Sequence, residues 1–526
     1  MESIWSRDCH MEKRDPLTRS IETEIAVVGA GMAGVLIAHA LQRDGRQVVV
    51  LEADRTGSGQ TRNTTAKVTS QHGLIYRKLI RTFGWAKAAH YAQANQEAIQ
   101  AYRDIIQVEG IDCGWEEKRA YVYGDDGDRL RAEAEAAASL GLPASYTEDL
   151  PRPIPAVGAV KFQGQAQFHP LRFLRPLAEK LTIYEGTPVR TVEGGVLKTP
   201  GGTVRAEKII FACHYPFLNF PGLYFARMHQ ERSYVLALEG APAVDGMYIG
   251  ADGAGLSLRT CGDLLLVGGE GHRTGENGAG GQYERLPQTA REWLPVAREA
   301  ARWSAQDCIT ADGVPYIGPY AASRPNWYVA TGFGKWGMTS SMAAALILPA
   351  LLRGENHPWA DVFDPRRVNG RALAGIAAEG GHAVKGLAKS FLYFPATQAD
   401  ELSAGRGGIV RLNGEKAGAY RDEDGQLHAV SPRCPHLGCQ LAWNPAEKTW
   451  DCPCHGSRFD CQGKLLSGPA QEDISREQPS IKLQRGREEG TLRLQPLFRR
   501  LRTAEERLFD TLRGPAELDP RDLFPI

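Results

Sequence analysis

The pattern of apolar and polar positions is clearest near the start of the chain. Residues 25–28 and 47–51 are short apolar runs, and each predicts a buried strand. Between them, a turn with the spacing Gly-x-Gly-x-x-Gly at Gly29, Gly31 and Gly34 leads into a helical stretch that ends near residue 43. The order strand, glycine turn, helix, strand is typical of a dinucleotide-binding βαβ unit.

Each residue type in this unit suits a dinucleotide. The glycines allow a tight turn, a close approach of the backbone to a pyrophosphate and close packing of helix on strand. The amino end of the helix presents unpaired N–H groups to the phosphates. Glu52 follows the second strand, where its carboxylate can accept hydrogen bonds from the ribose hydroxyls. The unit therefore predicts a nucleotide cofactor.

Composition excludes several classes of function. The 62 basic and 62 acidic residues cancel, so no overall field attracts nucleic acid or an anionic membrane. The longest apolar run, residues 342–352, is shorter than the roughly 18 residues needed to cross a bilayer. The first twenty residues are polar and lack the apolar centre of a signal peptide. We therefore expect a soluble cytoplasmic protein with no membrane insertion and no nucleic-acid partner.

Two cysteine-rich segments, "CPHLGC" and "CPCHGS", lie near the carboxyl end. Cys434-x-His436 is followed after fifteen residues by Cys452-x-x-His455, so each segment offers one thiolate and one imidazole. A zinc finger usually groups its cysteines in one pair and its histidines in the other. A Rieske centre binds one iron of a two-iron cluster with two cysteines and the other iron with two histidines. The mixed pairs favour a Rieske [2Fe-2S] centre, and a zinc knuckle or a disulfide staple stays as the alternative.

The two segments closely resemble the Rieske proteins of cytochrome bc complexes. In that family, two further cysteines join the cluster loops by a disulfide, and a third loop containing Gly-Pro covers the cluster. The resemblance implies a disulfide between Cys439 and Cys454, with "SGPA" at residues 467–470 as the third loop. It also implies that Cys434, His436, Cys452 and His455 are the metal ligands and that the cluster carries one electron.

The larger part of the chain resembles the D-amino-acid oxidase/glycine oxidase superfamily of FAD-dependent oxidoreductases. The resemblance rests on segments such as "GSGQTRNTTAKVTSQHG" (57–73), "RSYVLALEG" (232–240) and "NWYVATGFGKWGMTSS" (326–341). It implies FAD as the cofactor, with a helix near residue 338 directed at the flavin. The implied FAD-binding residues are Gly29, Gly31, Gly34, Glu52, Arg55, Thr65, Ala66, Val189, Gly332, Gly334, Trp336, Gly337 and Met338.

Most members of this superfamily oxidise amines by transfer of hydride to the flavin. The resemblance places Lys67, Tyr234, Arg259 and His272 in segments that face the flavin, and these are the candidate catalytic residues. We expect an amine or amino-acid-like substrate, with electrons passing from flavin to cluster and on to an external one-electron acceptor. The alternative is an electron-transfer or redox-sensing module that acts on a protein partner.

The expected fold class is α/β, with a Rossmann-like FAD-binding domain interleaved with a mixed-sheet substrate domain and followed by an all-β Rieske domain. Apolar and charged residues at helical spacing predict two amphipathic helices, at 85–108 and 128–140. The expected organisation is an N-terminal tail (1–20), the flavoprotein (21–365), a glycine- and alanine-rich connector (366–390), the Rieske domain (391–495) and a C-terminal helical tail (496–526).

Overall fold

A computed structural model describes most of the chain. The described residues are 2–151, 154–252, 255–294, 297–367, 370, 380–382, 390 and 393–475. The predicted helical tail at 496–526 lies outside the described residues, and so does most of the predicted connector. No helix among the described residues is long and apolar enough to cross a membrane.

The helices of the described part all precede the cysteine-rich segments. They are α1 (Ile4–Asp8), α2 (Met32–Arg43), α3 (Tyr76–Phe83), α4 (Trp85–Glu109), α5 (Gly127–Ser139), α6 (Pro170–Glu179), α7 (Gln282–Trp293), α8 (Gly337–Leu352) and α9 (Ala360–Phe363). Short 3-10 turns occur at Gln60–Asn63, Tyr224–Ala226 and Ala399–Glu401.

The strands fall into a long first series and a short second one. The first comprises β1 (Ile21–Val28), β2 (Val48–Leu51), β3 (Lys67–Val68), β4 (Glu116–Gly124), β5 (Ala144–Thr147), β6 (Gly158–Gln167), β7 (Thr182–Tyr184), β8 (Thr191–Glu193), β9 (Val196–Thr199), β10 (Gly202–Phe211), β11 (Met228–Glu239), β12 (Met247–Gly250), β13 (Ser257–Cys261), β14 (Leu264–Arg273), β15 (Arg298–Thr310), β16 (Tyr316–Pro319) and β17 (Trp327–Thr331). The second comprises β18 (Gly407–Leu412), β19 (Glu415–Arg421), β20 (Leu427–Val430), β21 (Ala442–Asn444), β22 (Thr449–Asp451), β23 (Arg458–Asp460) and β24 (Leu465–Ser467).

The first sheet carries the glycine turn. Its strand order is β16-β17-β10-β1-β2-β7, with β8 and β9 paired at the side, and β1 is parallel to both β10 and β2. The residues of β1 from Ile25 to Val28 are at most 4% exposed, because a central parallel strand is covered on both faces. Helices α2 and α8 pack against each other and share one core with this strand. The predicted strands and the helix of the βαβ unit are confirmed.

The second sheet is mixed and is built from strands that alternate along the chain with those of the first. Its order is β15-β11-β14-β13-β12-β4-β6-β3, with β5 paired to β6. Strand β12 runs parallel to β4, and the other neighbours are antiparallel. The predicted interleaving of a Rossmann-like unit with a mixed sheet is confirmed. The predicted helices at 85–108 and 128–140 correspond to α4 and α5.

The two faces of the mixed sheet have different neighbours. Successive side chains of a strand point to opposite faces. On β11, Val235 and Ala237 enter the core that contains α2 and α8, whereas Tyr234, Leu236 and Leu238 enter a separate core with α7. One face of the sheet therefore looks toward the dinucleotide-binding unit, and the other looks away from it.

The described part of the cysteine-rich region, residues 393–475, contains only strands and one 3-10 turn. Strands β18, β19 and β20 form one small antiparallel sheet, and β21 to β24 form another. Trp450 and Phe459 are fully buried between the cysteine-rich loops and these strands. The expectation of an all-β domain is confirmed.

The segment expected to be an N-terminal tail packs on the body in part. Trp5 of α1 is 1% exposed, and its indole N–H donates to the carbonyl of Thr64 at 2.7 Å. Leu17 is also buried, and its N–H donates to the hydroxyl of Thr187 at 3.0 Å. This segment therefore contributes Trp5 to the core beside Thr64 and Leu17 to the separate core under the first sheet.

The all-β domain is docked on β11 and β15 through a buried ion pair. Glu447 lies in the turn between β21 and β22, and its Oε1 accepts from Arg232 of β11 at 2.6 Å. The two side chains are 11% and 3% exposed. Ser304 of β15 also donates to Glu447, and Arg458 of β23 contacts it at 3.0 Å. Burial opposes ionisation of Glu447, but Arg232 and Arg458 outweigh it and lower its pKa to about 2.

We expect Glu447→Ala to loosen the docked domain. The change leaves Arg232 and Arg458 buried without their shared carboxylate, and breaking a buried pair costs about 3–5 kcal/mol. Glu423→Ala is the matched control, since Glu423 pairs at 2.6 Å with Lys448 while both side chains are at least half exposed. That change should cost about 1 kcal/mol or less. Denaturant unfolding with limited proteolysis measures both, and equal losses would contradict a docking role for Glu447.

Candidate functional site

The glycine turn has the geometry of a phosphate cradle. Gly29 has φ +106°, and a Cβ on it would lie 2.7 Å from the carbonyl oxygen of Ala212. A Cβ on Gly34 would lie 1.8 Å from the carbonyl oxygen of Gly29. Both positions therefore require glycine. Helix α2 begins at Met32, directly after Gly31, so its amino end opens at this turn.

Glu52 is fixed beside the turn by backbone donors. Its Oε2 accepts from the N–H of Ala30 at 2.7 Å, and its Oε1 accepts from the N–H of Asp54 at 2.9 Å. Burial raises the pKa of this carboxyl group. Each carboxylate oxygen has a second lone pair, so the group can still accept from a ribose hydroxyl. This arrangement suits the role expected for Glu52.

The two other residues expected near this end of the cofactor are placed differently. Arg55 forms an ion pair with Glu185 at 2.7 Å and donates to the carbonyl of Met11 at 2.8 Å. Val189 is buried in the core under the first sheet. The backbone before it lies beside Glu52, because the N–H of Thr187 donates to the Glu52 carbonyl at 2.8 Å.

Arg259 holds the backbone of the segment that contains Thr65 and Ala66. The guanidinium of Arg259 donates to the carbonyls of Thr65 at 2.7 Å and Ala66 at 2.8 Å. It also lies over the ring of Trp5, at 5.4 Å. Ala66 has φ +53°, so its backbone needs this support. The contacts of Arg259 favour a role in positioning the segment.

The motif at residues 332–338 forms the entry to α8. Gly332 has φ +70°, and a Cβ there would lie 2.3 Å from Thr310. Gly334 has φ +58°, and its N–H donates to the carbonyl of Cys308 at 2.8 Å. Helix α8 starts at Gly337, and the Met338 carbonyl accepts from Tyr102 at 3.0 Å. The predicted helix start near residue 338 is confirmed.

The structure adds His72 to this motif, a residue that sequence reasoning passed over. The imidazole stacks on Trp336 with ring centres 4.8 Å apart. Its Nδ1 lies 2.6 Å from the hydroxyl of Tyr91, and its Nε2 lies 3.0 Å from Thr339 Oγ1. Burial lowers the pKa of His72 to about 3, so the ring is neutral. Its place in "TSQHG", within the segment that resembles a flavin-contacting one, was the available signal.

Lys67 is buried directly after Thr65 and Ala66. Its ammonium group contacts the hydroxyl of Ser257 and lies 3.4 Å from the carbonyl of Tyr248. Burial, helped by the positive charge of Arg259, lowers its pKa to about 7. A lysine with this pKa can exchange a proton near neutral pH.

Tyr234 and His272 lie on the face of the mixed sheet that looks away from the dinucleotide-binding unit. The Tyr234 hydroxyl is 3.1 Å from His272 Nε2, and His272 is paired across the strands with Arg232. A cavity of about 190 Å³ adjoins His272 and is lined by residues of α7 such as Gln282 and Arg285. This placement favours a role for both residues near the docked domain.

Charged residues gather on the opposite face. Glu231 follows Gln230 on β11 and contacts Lys335 at 3.2 Å and His229 at 3.4 Å. The hydrogen bond from His229 and the charge of Lys335 lower the pKa of Glu231 to about 2. On β15, burial raises the pKa of the half-buried Asp307 to about 7, although Lys335 opposes the shift. Sequence reasoning missed Glu231 and Asp307, because strand alternation alone does not tell which face is which.

The four predicted metal ligands converge. The thiols of Cys434 and Cys452 contact each other, and the Nδ1 atoms of His436 and His455 are 3.2 Å apart. The backbone N–H of Cys434 donates to the Cys439 carbonyl at 2.9 Å, which closes the first loop. In the second loop, the N–H of Cys452 donates to the Ser457 carbonyl at 2.8 Å. Two thiols and two imidazole nitrogens thus meet between two loops.

The remaining cysteine pair forms the expected disulfide. Cys439 is bonded to Cys454, one from each loop. The sulfur atoms of Cys439, Cys452 and Cys454 lie within 4.8 Å of one another. Because the two bonded sulfurs cannot be thiolates, this trio is not a ligand set. The donors that fit a metal are the two other cysteines and the two histidines.

Comparison with known families decides what these sites belong to. Residues 24–351 match the family described as FAD dependent oxidoreductase, and residues 393–482 match the Rieske [2Fe-2S] domain. The chain belongs to the FAD-dependent oxidoreductases of this family. It binds FAD, and its carboxyl-terminal Rieske domain binds a [2Fe-2S] cluster. The predicted cofactors are confirmed.

Relatives match either most of the chain or one of its two parts. The putative Rieske 2Fe-2S iron-sulfur protein YhfW of Bacillus subtilis is 38% identical over 490 residues, which cover 89% of this chain and 96% of the relative. The cytochrome b6-f complex iron-sulfur subunit 2 of a Nostoc species is 34% identical over 24% of this chain and 68% of its own. A crystal structure of glycine oxidase from Geobacillus kaustophilus has a TM-score of 0.56 at 20% identity. The alignment covers 66% of this chain and all of that one, and it shows the shared fold.

The donor sets fit both groups. The glycine turn, the amino end of α2 and Glu52 suit the pyrophosphate and ribose of FAD. The paired thiols and the facing imidazole nitrogens suit a Rieske cluster and differ from the grouped pairs of a zinc finger. The residue assignments are proposals. They comprise the FAD contacts named from the sequence and the four cluster ligands Cys434, His436, Cys452 and His455.

We expect Asp307, which lies near Lys335 of the motif that leads into α8, to titrate near neutral pH. Its pKa of about 7 means that the carboxyl is neutral below this pH and negative above it. A new charge near a flavin changes the electronic state of the ring. The visible spectrum of bound FAD should therefore shift as pH passes through neutrality, and Asp307→Asn should abolish the shift.

Lys67→Met is the control for this titration, because the pKa of Lys67 is also about 7. The shift should remain in Lys67→Met. If it disappears there and persists in Asp307→Asn, the titrating group is the lysine.

Proposed function

We propose that this protein is a dehydrogenase of amines or amino-acid-like compounds that passes electrons from FAD through its Rieske cluster to an external one-electron acceptor. The observation that carries the proposal is that β11 and β15 serve both sites. Gln230 and Gln306 contact the cluster loop, whereas their neighbours Glu231 and Asp307 lie near Lys335 of the motif proposed to contact the flavin. One layer of strands separates the two.

The contacts on the cluster side are direct. The Gln230 side chain donates to the carbonyl of His455 at 2.7 Å, and the Gln306 side chain donates to the carbonyl of Gly456 at 2.8 Å. Gln306 also donates to Gln230, so the two buried amides hold each other. A Cβ on Gly456 would lie 2.7 Å from Gln230. The loop of a proposed iron ligand is thus seated on the sheet of the flavoprotein.

A fixed seat supports a relay because the rate of electron transfer falls steeply with distance. FAD, when bound, accepts two electrons as hydride and can release them one at a time, and a Rieske cluster carries one. The chain's contribution is to hold the two sites on opposite faces of one sheet. The buried Arg232–Glu447 pair and the Gln230–Gln306 pair fix that geometry.

The charges on the flavin side support a nitrogen substrate. Glu231 and Asp307 bring two carboxyl groups near the ammonium of Lys335. Their negative charge favours a cationic ammonium group over an anionic substrate. Asp307, with a pKa of about 7, suits the task of accepting the ammonium proton before hydride leaves the adjacent carbon as the C–N bond becomes an imine.

An anaerobic screen of candidate substrates tests the proposed substrate class. Primary and secondary amines and amino acids are mixed with the full chain, and bleaching of the flavin absorption is followed. An amine or amino acid should bleach the flavin with saturable kinetics. Absence of bleaching by every nitrogen compound, with bleaching by hydroxy acids or by a reduced protein, would contradict the substrate class.

We expect His455→Ala to separate the two half-reactions. Loss of one proposed iron ligand should remove the cluster, while bleaching of the flavin should keep the parental rate. Reduction of a one-electron acceptor should fall by at least about tenfold, as for other disrupted metal sites. Stopped-flow absorption follows both signals in the full chain.

His428→Ala is the matched control, because His428 lies in the Rieske domain but bonds to Asp422 at 2.8 Å, away from the cluster loops. It should leave both signals unchanged. Acceptor reduction at the parental rate in His455→Ala would contradict the relay.

A further inference from the structure

The flavoprotein contacts the cluster loops at a second place, the 212–227 loop between β10 and β11. This loop is anchored by two tyrosines. The Tyr224 hydroxyl donates to the carbonyl of Tyr320 at 2.8 Å, and the Tyr320 hydroxyl donates to the carbonyl of Leu218 at 3.1 Å. Both rings are at most 1% exposed. The loop is therefore a built part of the flavoprotein.

The loop covers the imidazoles of the proposed ligands. The ring of Phe225 meets His455 edge-on at 5.8 Å and His436 at 6.5 Å. Asn219 contacts the rim of the more exposed imidazole, because its Oδ1 lies 2.6 Å from His436 Nε2. His455 is 2% exposed, whereas His436 is half-buried. The loop thus contacts both imidazoles, and Asn219 bonds to the more exposed of the two.

The direction of the Asn219–His436 bond follows from the placement of the imidazoles. The Nδ1 atoms of both histidines face each other, so Nδ1 is the metal-binding nitrogen. A neutral imidazole bound through Nδ1 carries its proton on Nε2. His436 Nε2 therefore donates, and the Asn219 carbonyl oxygen accepts.

We propose that Asn219 is a positioning residue for the cluster: by accepting the Nε2–H bond of His436, the flavoprotein sets the reduction potential of the Rieske centre. The inference rests on the ligand role proposed for His436 and adds control of the cluster by the other domain. Groups that hydrogen-bond to a metal-bound histidine fix its orientation and raise its basicity as a ligand.

The sign of the effect follows from charge. An acceptor on Nε2–H makes the imidazole a stronger electron donor to the iron, which stabilises the oxidised, more positive cluster. Asn219 thus lowers the potential. Removal of the acceptor in Asn219→Ala should raise the potential, and a carboxylate in Asn219→Asp should lower it further.

The test is a redox titration of the full chain, with the cluster followed by electron paramagnetic resonance. We expect a shift in each direction of about tenfold in the equilibrium constant for reduction, or about 59 mV for one electron. Asn326→Ala is the control, since Asn326 is an exposed asparagine of the flavoprotein outside the cluster loops. The reduction potential of the cluster in this variant should equal that of the parent protein.

The outcomes distinguish control of the reduction potential by Asn219 from a purely structural contact and from an error in the ligand assignment. Opposite shifts in the alanine and aspartate variants support the proposal, because a purely structural contact would not reverse sign. Unchanged potentials overturn it, and so does loss of the cluster in both variants, which would make the bond structural only. A full iron complement in His436→Ala would instead contradict the ligand role of His436, leaving the relay to be judged by His455→Ala.

Discussion

The arrangement of this protein depends on a buried ion pair between two domains. Arg232 and Glu447 are almost fully enclosed, and burial of two charges is costly unless they are paired and hydrogen-bonded. Ser304 and Arg458 also contact the carboxylate, although the Nε of Arg232 has no hydrogen-bond partner among the described residues. Such a cluster is favourable in one geometry and unfavourable in most others. It therefore specifies how the Rieske domain sits on β11 and β15.

Because the Rieske domain is docked on β11 and β15, the two faces of the mixed sheet have different neighbours. On one face, Gln230 and Gln306 hold the second cluster loop by its carbonyls. On the other face, Glu231 and Asp307 lie toward the dinucleotide-binding unit. The pleat of a strand makes this possible, because consecutive residues point in opposite directions. The two faces of the sheet can then make separate contacts without sharing a side chain.

Local sequence was enough for much of the fold and for the cofactors. The βαβ unit was readable because glycine spacing and apolar strands are local features with few alternative structures. The four proposed cluster ligands could be named for the same reason, since two short loops contain all four donors. The disulfide between Cys439 and Cys454 came from family resemblance, and the structure contains it.

The candidate catalytic residues were less readable, because their roles depend on which face of a sheet they occupy. Tyr234 and His272 stand in segments that resemble flavin-facing ones, yet the structure places them on the side of α7. Arg259 proves to support the Thr65–Ala66 backbone. Glu231 and Asp307 take their positions only when β11 and β15 pair, and the contacts of His72 form only when α8 packs beside it. A one-residue change in register reverses the facing of a strand, and no local pattern records that register here.

The sequence by itself therefore determined the presence of the two cofactor-binding domains, the glycine cradle and the loops that carry the cluster donors, because these depend on neighbours within a few residues. The tertiary structure alone decided how the domains meet. Arg232 and Glu447 are separated by more than two hundred residues, as are Asn219 and His436. Their pairing follows from the packing of whole sheets, and one sequence considered alone carries no local sign of it.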